Sequence, residues 1–370
     1  MNIHKLKVAI VCDWLTTPGG AEKIILALHK LFPNAPIFTT IYDSERNPDF
    51  NNAKVITSGI NNLPFAKKKH QLYLSLMPGA VEKFNLDDFD LVISSSHSCA
   101  KGIITKPDTL HISYCHSPMR YAWENSVNYI KKYDINPFIK WIAPWFIHKI
   151  RLWDRLSADR VDSFIANSHY VQNRIYKYYR KPSTVIHPFI TSEYYDYSPA
   201  KKDYFLAVGR LTQYKQFDLL IDTFNKNGLK LKIIGTGASE NRLKAKANAN
   251  IEFLGYVSDD DLRNYYKFAS ALIFPQLEDF GIIPIEAMAM GCPVIAFGKG
   301  GAIETVQNEN NGVFFKEQTV EQLQKAIDKH LKKKYKYSEI SKHASNFSEE
   351  RFQKELIAFI EKKWDKFTNK

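Results

Sequence analysis

The chain of 370 residues has few cysteines and lacks the sequence patterns of several large protein classes. No C-x-x-C pair occurs, so the sequence favours reduced core thiols over a zinc site or a disulfide framework. The four cysteines are Cys12, Cys99, Cys115 and Cys292. No apolar run reaches the roughly 18 residues that a membrane-spanning helix needs. The first residues also lack the layout of a signal peptide, and we therefore expect a cytoplasmic protein.

Acidic residues are in the minority, with 39 Asp and Glu against 51 Lys and Arg, which gives a formal net charge of +12. This excess favours an anionic partner: nucleic acid, an anionic membrane face or a phosphorylated substrate. No recognised nucleic-acid-binding motif accompanies the charge, and we expect no nucleic-acid partner. A G-x-G-x-x-G fingerprint is also missing, so a dinucleotide site near the N-terminus is poorly supported.

The chain does contain a regular alternation of strand-like apolar runs and helical patterns, and its length predicts two α/β domains. We place an N-terminal domain at residues 1–190, a linker near 190–202, a C-terminal domain at 203–346 and a packed C-terminal helix at 347–370. The predicted strands include residues 6–12, 35–40, 111–115, 163–166, 185–190, 204–208, 231–234, 251–254, 271–274 and 294–297.

The stretch from Phe274 to Val306 predicts a ligand site. A strand is followed by Glu278, a turn ending at Gly281, and a short helix with Pro284 in its first turn and Glu286 behind it. The N-terminus of such a helix presents unpaired N–H groups, which suit a phosphate or a group of sugar hydroxyls. Because a turn separates the two carboxylates, each can hold a different part of one ligand. Their alternative role is that of ordinary surface charges.

Ligand sites in parallel α/β sheets lie beyond the carboxyl ends of strands, where several notable residues occur. Arg210 and Lys215 follow strand 204–208 and form a suitable pair for a diphosphate. His116 follows strand 111–115 and is a candidate site residue, with a structural histidine as the alternative. Near the N-terminus, Gly19 and Gly20 form a loop whose backbone can approach a ligand closely.

Two stretches mix aromatic and basic residues. Three consecutive lysines occur at 67–69 beside aromatic and aliphatic residues, and residues 125–153 interleave tryptophans and phenylalanines with Lys and Arg. This composition suits a membrane interface or a lipid-linked substrate. A solvated lysine face in the first stretch and a core helix in the second are the alternatives.

The second half resembles the retaining glycosyltransferases of family 4, which have the GT-B fold. The motifs that carry this likeness come in the family's order: Gly209-Arg210-Leu211 with Lys215, Gly235-x-Gly237, Gly255-Tyr256-Val257, and Glu278 to Glu286. The first half, with Gly19-Gly20-x-Glu22 and HSPMRYAW at 116–123, resembles bacterial mannosyltransferases that build the O-antigen of lipopolysaccharide. The resemblance implies two Rossmann-like domains that face each other across a cleft, with the C-terminal helix crossing back to the first domain.

The resemblance also implies roles for individual residues. Arg210 and Lys215 would neutralise the diphosphate of a nucleotide-sugar donor, Glu286 would bind its ribose, and Glu278 would face the transferred sugar. Catalytic roles fall to His116, Glu278, Arg210 and Lys215, and acceptor contacts to Asp13, Arg120 and Trp123. The implied donor contacts are Gly19, Gly20, Gly209, Arg210, Lys215, Gly235, Tyr256, Val257, Glu278, Phe280, Gly281, Ile282, Ile283 and Glu286.

The reaction implied by the resemblance is same-face attack by an acceptor hydroxyl as the diphosphate leaves, with a donor phosphate oxygen taking the proton. GDP-mannose is the expected donor and a lipid-linked glycan the expected acceptor, with peripheral contact at the inner membrane face. No D-x-D lies at a strand end, and we expect neither a metal nor another cofactor. The alternatives are another GT-B enzyme such as a nucleotide-sugar epimerase or a sugar phosphorylase, a Rossmann oxidoreductase, and a basic nucleic-acid-binding protein.

Overall fold

The computed structural model describes residues 3–124 and 137–369, which form two units. The first unit contains residues 1–187 together with 353–370, and the second contains residues 188–352. The C-terminal helix therefore belongs largely to the N-terminal unit. Of the aromatic and basic stretch at 125–153, residues 125–136 lie outside the described residues, as do the side chains of residues 137–142.

A seven-stranded parallel sheet forms the centre of the first unit. Its strands are β1 (Val8–Cys12), β2 (Ile37–Thr39), β3 (Val55–Thr57), β4 (Leu91–Ser96), β5 (Leu110–Cys115), β6 (Ser163–Ala166) and β7 (Ser183–Val185). They lie in the order β3-β2-β1-β4-β5-β6-β7. Every residue of β1, β4 and β5 is buried, as expected for strands that are covered on both faces.

The first unit also contains helices. They are α1 (Gly20–Leu31), α2 (Met77–Val81), α3 (Arg120–Trp123), α4 (Pro137–Ser157), α5 (His169–Tyr179) and, at the end of the chain, α13 (Glu349–Thr368). The sequence of α1 places Ile24, Ile25 and Leu28 on one face, and all three are buried.

The second unit is built around a six-stranded parallel sheet. Its strands are β8 (Tyr204–Val208), β9 (Lys230–Ile234), β10 (Ile251–Gly255), β11 (Ala271–Phe274), β12 (Val294–Phe297) and β13 (Gly312–Phe315), in the order β10-β9-β8-β11-β12-β13. Its helices are α6 (Phe217–Asn227), α7 (Glu240–Lys246), α8 (Asp259–Phe268), α9 (Ile282–Ala289), α10 (Ala302–Thr305), α11 (Val320–Leu331) and α12 (Tyr337–Ala344).

The order of strands reverses once in each sheet. In the first sheet the reversal lies between β1 and β4, and in the second between β8 and β11. At a reversal the loops that leave the two neighbouring strands turn to opposite faces of the sheet, which leaves a crevice where ligands of such sheets bind. The topology therefore directs attention to the residues that follow β1, β4, β8 and β11.

A buried charged network connects the elements behind the first of these crevices. Lys101 and Asp154 form an ion pair in which both residues are at most 1% exposed. The second oxygen of Asp154 accepts hydrogen bonds from Trp123 Nε1 at 2.6 Å and from the hydroxyl of Tyr179 at 2.9 Å. These bonds offset the cost of burying the charges, and they fix α3, α4 and α5 relative to the end of β4.

The strands predicted at 163–166, 204–208, 271–274 and 294–297 are confirmed residue for residue. The strand predicted at 185–190 is wrong in position, because β7 spans Ser183–Val185. Pro188 has no N–H for a sheet hydrogen bond, and the N–H of Ile190 donates instead to the carbonyl of Phe347 at 3.0 Å. The segment predicted as a linker near 190–202 lies within the second unit, where Tyr194 is buried.

Two buried histidines predict that the chain loses stability in mild acid. Burial lowers the pKa of His111 and that of His330 to about 4. Unfolded histidines titrate near pH 6.5, so the unfolded chain binds more protons than the folded chain between about pH 6.5 and 4. The free energy of unfolding should therefore fall, as pH is lowered through this window, by about 1.4 kcal/mol per pH unit for each histidine.

Urea unfolding of the parent and of His111→Gln at pH 7 and pH 5 measures this effect. The parent should lose more stability over this interval than the variant, since the variant lacks one of the two titrating groups. Equal losses in the two proteins would contradict the assignment to His111.

Candidate functional site

Charged side chains meet where the second sheet reverses its strand order. Lys215 follows β8 and Glu278 follows β11, and their side chains form an ion pair that is 12% and 18% exposed, respectively. Arg210, also after β8, is exposed, and within residues 3–124 and 137–369 its guanidinium has no hydrogen-bond or ion-pair partner. Three charged residues selected from the sequence thus lie at one edge of one sheet, with one cation left to receive an anion.

Glycines hold the loop that carries the two cations. A Cβ on Gly235, whose φ is +131°, would lie 2.0 Å from the carbonyl oxygen of Gly209, and a Cβ on Gly237 would lie 2.5 Å from that of Leu211. The N–H of Gly209 donates to Ile234 at 3.0 Å, so the loops after β8 and β9 pack backbone against backbone. This close approach requires glycine.

The loop with Glu278 is held in the same way from its other side. A Cβ on Gly301 would lie 2.3 Å from Cα of Phe280, and the N–H of Gly301 donates to the carbonyl of Glu278 at 2.9 Å. The side chain of Phe280 is 4% exposed and lies 6.0 Å from the ring of Phe347. Phe280, predicted as a donor contact, therefore packs in the core and can act there only through its backbone.

Helix α9 begins directly behind this loop. Its N-cap, Gly281, has φ +88° and supplies no side-chain hydrogen bond. The N–H groups at the start of α9, at Ile282 and Ile283, therefore have no capping side chain, while the two isoleucine side chains pack against the core. A helix N-terminus of this kind can bind a phosphate or sugar oxygen through its backbone.

Glu286 lies on the second turn of α9 and is nearly buried, with 6% exposure. The hydroxyl of Tyr266 donates to its Oε2 at 3.4 Å, and Tyr194 hydrogen-bonds it as well. Burial first, and then the charge of Glu286, raise the pKa of both phenols, which therefore stay protonated and donate to the carboxylate. The two tyrosines orient Glu286, and no pattern in the sequence had selected them.

Tyr256 and Val257, predicted as donor contacts, follow the edge strand β10. The side chain of Tyr256 is 86% exposed, whereas Val257 packs partly against the core. In the described part of the chain, no hydrogen bond or ring contact joins Tyr256 to the charged residues near α9. The structure thus leaves this pair at the periphery of the second sheet.

The first sheet has its own polar centre, and Asp13 occupies it. Asp13 directly follows β1 and is 2% exposed. Its carboxylate accepts four backbone N–H groups from the turn after β4, those of His97, Ser98, Cys99 and Ala100, at 2.7, 3.0, 2.6 and 2.7 Å. The Nδ1 atom of His97 lies 3.1 Å from the same carboxylate. Asp13 therefore ties the ends of the two strands at the reversal together.

His116 is positioned by its neighbours at the end of β5. Its Nε2 lies 2.8 Å from the hydroxyl of Ser95, its carbonyl accepts from Asn167 at 3.0 Å, and its ring lies 6.4 Å from that of His97. His116 and His97 thus lie side by side. The rule that selected His116, a polar residue beyond a strand end, applies equally to His97, which follows β4 and was not selected.

The glycine loop lies beside this pair. Gly19 is the N-cap of α1, and a Cβ on Gly20 would meet nothing within 4 Å. Glu22, on the first turn of α1, has its pKa raised, and burial is the main cause. The loop therefore has open space beside a partly buried carboxyl group.

The remaining predicted acceptor residues belong to α3. Trp123 stacks on Tyr178 at 4.7 Å and donates its indole N–H to the buried Asp154. Its ring is thus engaged in the interior of the first unit. Arg120, at the first position of α3, is half-buried.

Two other kinds of feature are absent from residues 3–124 and 137–369. No three His, Cys, Asp or Glu side chains are grouped closely enough to ligate a metal ion. Among the helices of the same ranges, none combines the length and the apolar character needed to cross a bilayer.

Comparison with known families finds two matches that follow one another along the chain. The family described as Glycosyltransferase Family 4 matches residues 18–194, and the one described as Glycosyl transferases group 1 matches residues 197–347. Together they span both sheets.

Known relatives of several kinds are similar to the chain. An uncharacterized glycosyltransferase of Methanocaldococcus jannaschii is 24% identical over 87% of each chain. The alpha-1,3/1,6-mannosyltransferase ALG2 of Kluyveromyces lactis is 24% identical over 83% of this chain and 72% of its own. The O-antigen chain mannosyltransferase RfbU of Salmonella typhimurium is 30% identical, but over only 45% of this chain and 50% of its own.

Solved structures confirm the fold. HepE of Anabaena, in complex with UDP and glucose, superposes with a TM-score of 0.69 over 96% of this chain and 99% of its own, at 17% identity. The lipopolysaccharide outer core galactosyltransferase WaaB gives a TM-score of 0.67 over 97% and 100%, also at 17% identity. The predicted GT-B fold, with two Rossmann-like α/β sheets, is therefore confirmed.

The glycine packing behind Arg210 and Lys215 yields a prediction about stability. Gly235→Ala should lower the free energy of unfolding by about 3 kcal/mol or more, because it adds a backbone clash to an unfavourable positive φ. Gly255→Ala is the matched control, since Gly255 also has positive φ (+68°) but open space around its Cβ position. Chemical denaturation should show the smaller loss for the control. A loss of equal size in both variants would mean that the contact with Gly209 does not constrain the loop.

Proposed function

Because the chain belongs to glycosyltransferase family 4, whose members are retaining enzymes, we propose that it transfers mannose from GDP-mannose to a lipid-linked glycan. The residues at the strand reversal of the second sheet bind the donor. Arg210 and Lys215 take the diphosphate, Glu286 takes the ribose, and Glu278 faces the transferred sugar. The backbone N–H groups at the start of α9 contribute further contacts to phosphate or sugar oxygens.

The observation that carries this proposal is the arrangement of Arg210, Lys215 and Glu278. Both cations follow one strand and the carboxylate follows its neighbour. Lys215 pairs with that carboxylate, and Arg210 is exposed without a partner in the described structure. Stabilising the charge that develops on a departing diphosphate is the main electrostatic task of such a transfer, and fixed cations perform it without reorganisation. A carboxylate beside them suits sugar hydroxyls.

The choice of mannose is supported by the HSPMRYAW segment at 116–123 and by the similarity to mannosyltransferases, whereas HepE was solved with UDP and glucose. His116 is proposed to contact the reacting sugar from the first unit. Gly19 and Gly20 are proposed as donor contacts because the space beside Gly20 is open.

Screening sugar nucleotides tests the donor. GDP-mannose at 100 times its Kd should stabilise the folded chain by about 2.7 kcal/mol, which appears as a raised Tm, and it should be hydrolysed slowly without acceptor. Arg210→Ala and Lys215→Ala should each weaken binding by about 10- to 100-fold, because each removes a charge-assisted contact to the diphosphate.

Lys230→Ala is the matched control for these variants. Lys230 is a cation of the same unit at the start of β9, at the opposite edge of the sheet, where it pairs with Asp203. The Lys230→Ala variant should bind GDP-mannose with the same affinity as the parent. The proposal fails if no sugar nucleotide raises the Tm and if Arg210→Ala and Glu286→Ala behave like the parent. A response to UDP-glucose but not to GDP-mannose would reject mannose and keep the family's chemistry.

We further propose that the first unit contacts the membrane that carries the acceptor. Phe65, Leu72 and Leu76 are 69%, 64% and 53% exposed, and the three lysines at 67–69 are exposed between them. On α4, Trp145 is 57% exposed. Apolar side chains next to lysines favour an anionic bilayer surface, because the apolar groups enter the interface and each lysine adds attraction.

Flotation with vesicles tests this contact. The parent should bind vesicles that contain phosphatidylglycerol more strongly than vesicles of phosphatidylcholine alone. The double variant Phe65→Ser/Leu72→Ser should bind at least tenfold more weakly, since it removes about 1.4 kcal/mol or more of apolar burial. The control is Ile303→Ser in the second unit, which is 55% exposed. Equal binding of the double variant and the parent would reject this surface.

A further inference from the structure

The strand reversal of the first sheet holds a pair of side chains to which the proposed donor site gives no role. Asp13 follows β1 and His97 follows β4, the two strands between which the order reverses. They occupy in the first sheet the position that Lys215 and Glu278 occupy in the second. Because ligands of such sheets bind at this position, the pair marks a second binding site.

The hydrogen bonds of Asp13 determine the state of the imidazole. Its carboxylate is 2% exposed and accepts four backbone N–H groups, so it is held rigidly as an acceptor. His97 Nδ1 lies 3.1 Å from Oδ2 of Asp13, and the hydrogen between them must come from the imidazole. In the tautomer that donates from Nδ1, the lone pair lies on Nε2.

That lone pair is available to a ligand. The side chain of His97 is 35% exposed, and within residues 3–124 and 137–369 no hydrogen bond to Nε2 is formed. The ring is held at its other side by Trp14, which meets it edge to face at 4.6 Å, and His116 lies 6.4 Å away. A rigid imidazole with one nitrogen fixed and the other open to solvent is a preorganised hydrogen-bond acceptor.

The neighbouring groups select the chemistry of the ligand. Two carboxyl groups, those of Asp13 and Glu22, lie close to the imidazole. Their negative charge disfavours binding of an anion such as a phosphate at this position. An acceptor atom beside the indole of Trp14 suits a group with an apolar face and a hydroxyl, which describes a sugar ring.

We propose that Nε2 of His97 accepts a hydrogen bond from a hydroxyl of the acceptor sugar, and that Asp13 is a positioning residue that acts through His97. This inference rests on the proposed function and names the class of its second substrate, an uncharged hexose presented by its hydroxyl groups. The carboxylate of Asp13 is occupied by backbone amides and makes its contribution without touching the sugar.

Two substitutions at His97 separate a binding role from a structural one. In His97→Asn the amide nitrogen takes the place of Nδ1 and keeps the bond to Asp13, while the Nε2 position is empty. In His97→Gln the amide reaches the Nε2 position but gives up the bond to Asp13. A binding role predicts that Gln retains more transfer activity than Asn, whereas a merely structural role predicts the opposite order.

The assay uses GDP-mannose as donor and octyl α-D-mannopyranoside as the acceptor probe, with the transfer product and free mannose measured separately. His97→Asn should reduce kcat/KM for the probe by about 10- to 100-fold. Its Tm should equal that of the parent, and its affinity for GDP and its rate of donor hydrolysis should stay within about twofold of the parent's values. His97→Gln should recover part of the lost transfer.

The outcomes distinguish this inference from the proposed function. If His97→Asn transfers mannose as fast as the parent, or faster than His97→Gln, the inference is overturned. If the parent hydrolyses GDP-mannose but makes no product with octyl mannoside, the hexose class is rejected while the donor chemistry stands. If GDP-mannose is neither bound nor hydrolysed, the proposed function fails. The site at His97 can then be tested separately by NMR, with octyl mannoside titrated into protein that carries ¹⁵N-labelled histidine. An unshifted ¹⁵Nε2 resonance of His97 would overturn the site.

Discussion

The single reversal of strand order in each parallel sheet is the constraint on which both candidate sites depend. Every strand of a parallel sheet ends at the same edge, but only at the reversal do two neighbouring loops turn away from each other and leave room for a ligand. Residues that follow these strands are far apart in sequence and adjacent in space. Lys215 and Glu278 meet in this way in the second sheet, and Asp13 and His97 meet in the first.

The two sheets hold their loops at the reversal by different physical means. In the second sheet, glycines let one backbone lie against another, as Gly235 does against Gly209, so the loop positions are set by close contact. In the first sheet the buried carboxylate of Asp13 accepts hydrogen bonds from four backbone N–H groups. These charge-assisted hydrogen bonds, rather than close backbone contact, hold the loop there. In both sheets a rigid backbone therefore fixes the positions of the side chains at the reversal, and binding and catalysis need such fixed positions.

The sequence allowed the strands, the fold and the charged residues near α9 to be predicted, because apolar runs and glycine-proline punctuation are local signals. Contacts between distant segments left no such signal. Tyr194, in a stretch interpreted as a linker, orients Glu286, and Lys101 pairs with Asp154 inside the first unit. The strand predicted up to Ile190 failed for a related reason, since the N–H of Ile190 finds its partner near the end of the chain, at Phe347.

The ion pair of Lys215 and Glu278 gives the second crevice two different charge states. Without a ligand the pair neutralises itself, so the partly buried carboxylate keeps a partner and its desolvation is offset. A diphosphate carries more charge than a carboxylate and attracts both Lys215 and Arg210, so its arrival would draw the lysine away. Glu278 would then lose its cation at the moment when sugar hydroxyls become available as donors. Such an exchange would link binding of the phosphates to recognition of the sugar, and it would explain why a carboxylate pairs with a lysine selected for an anion.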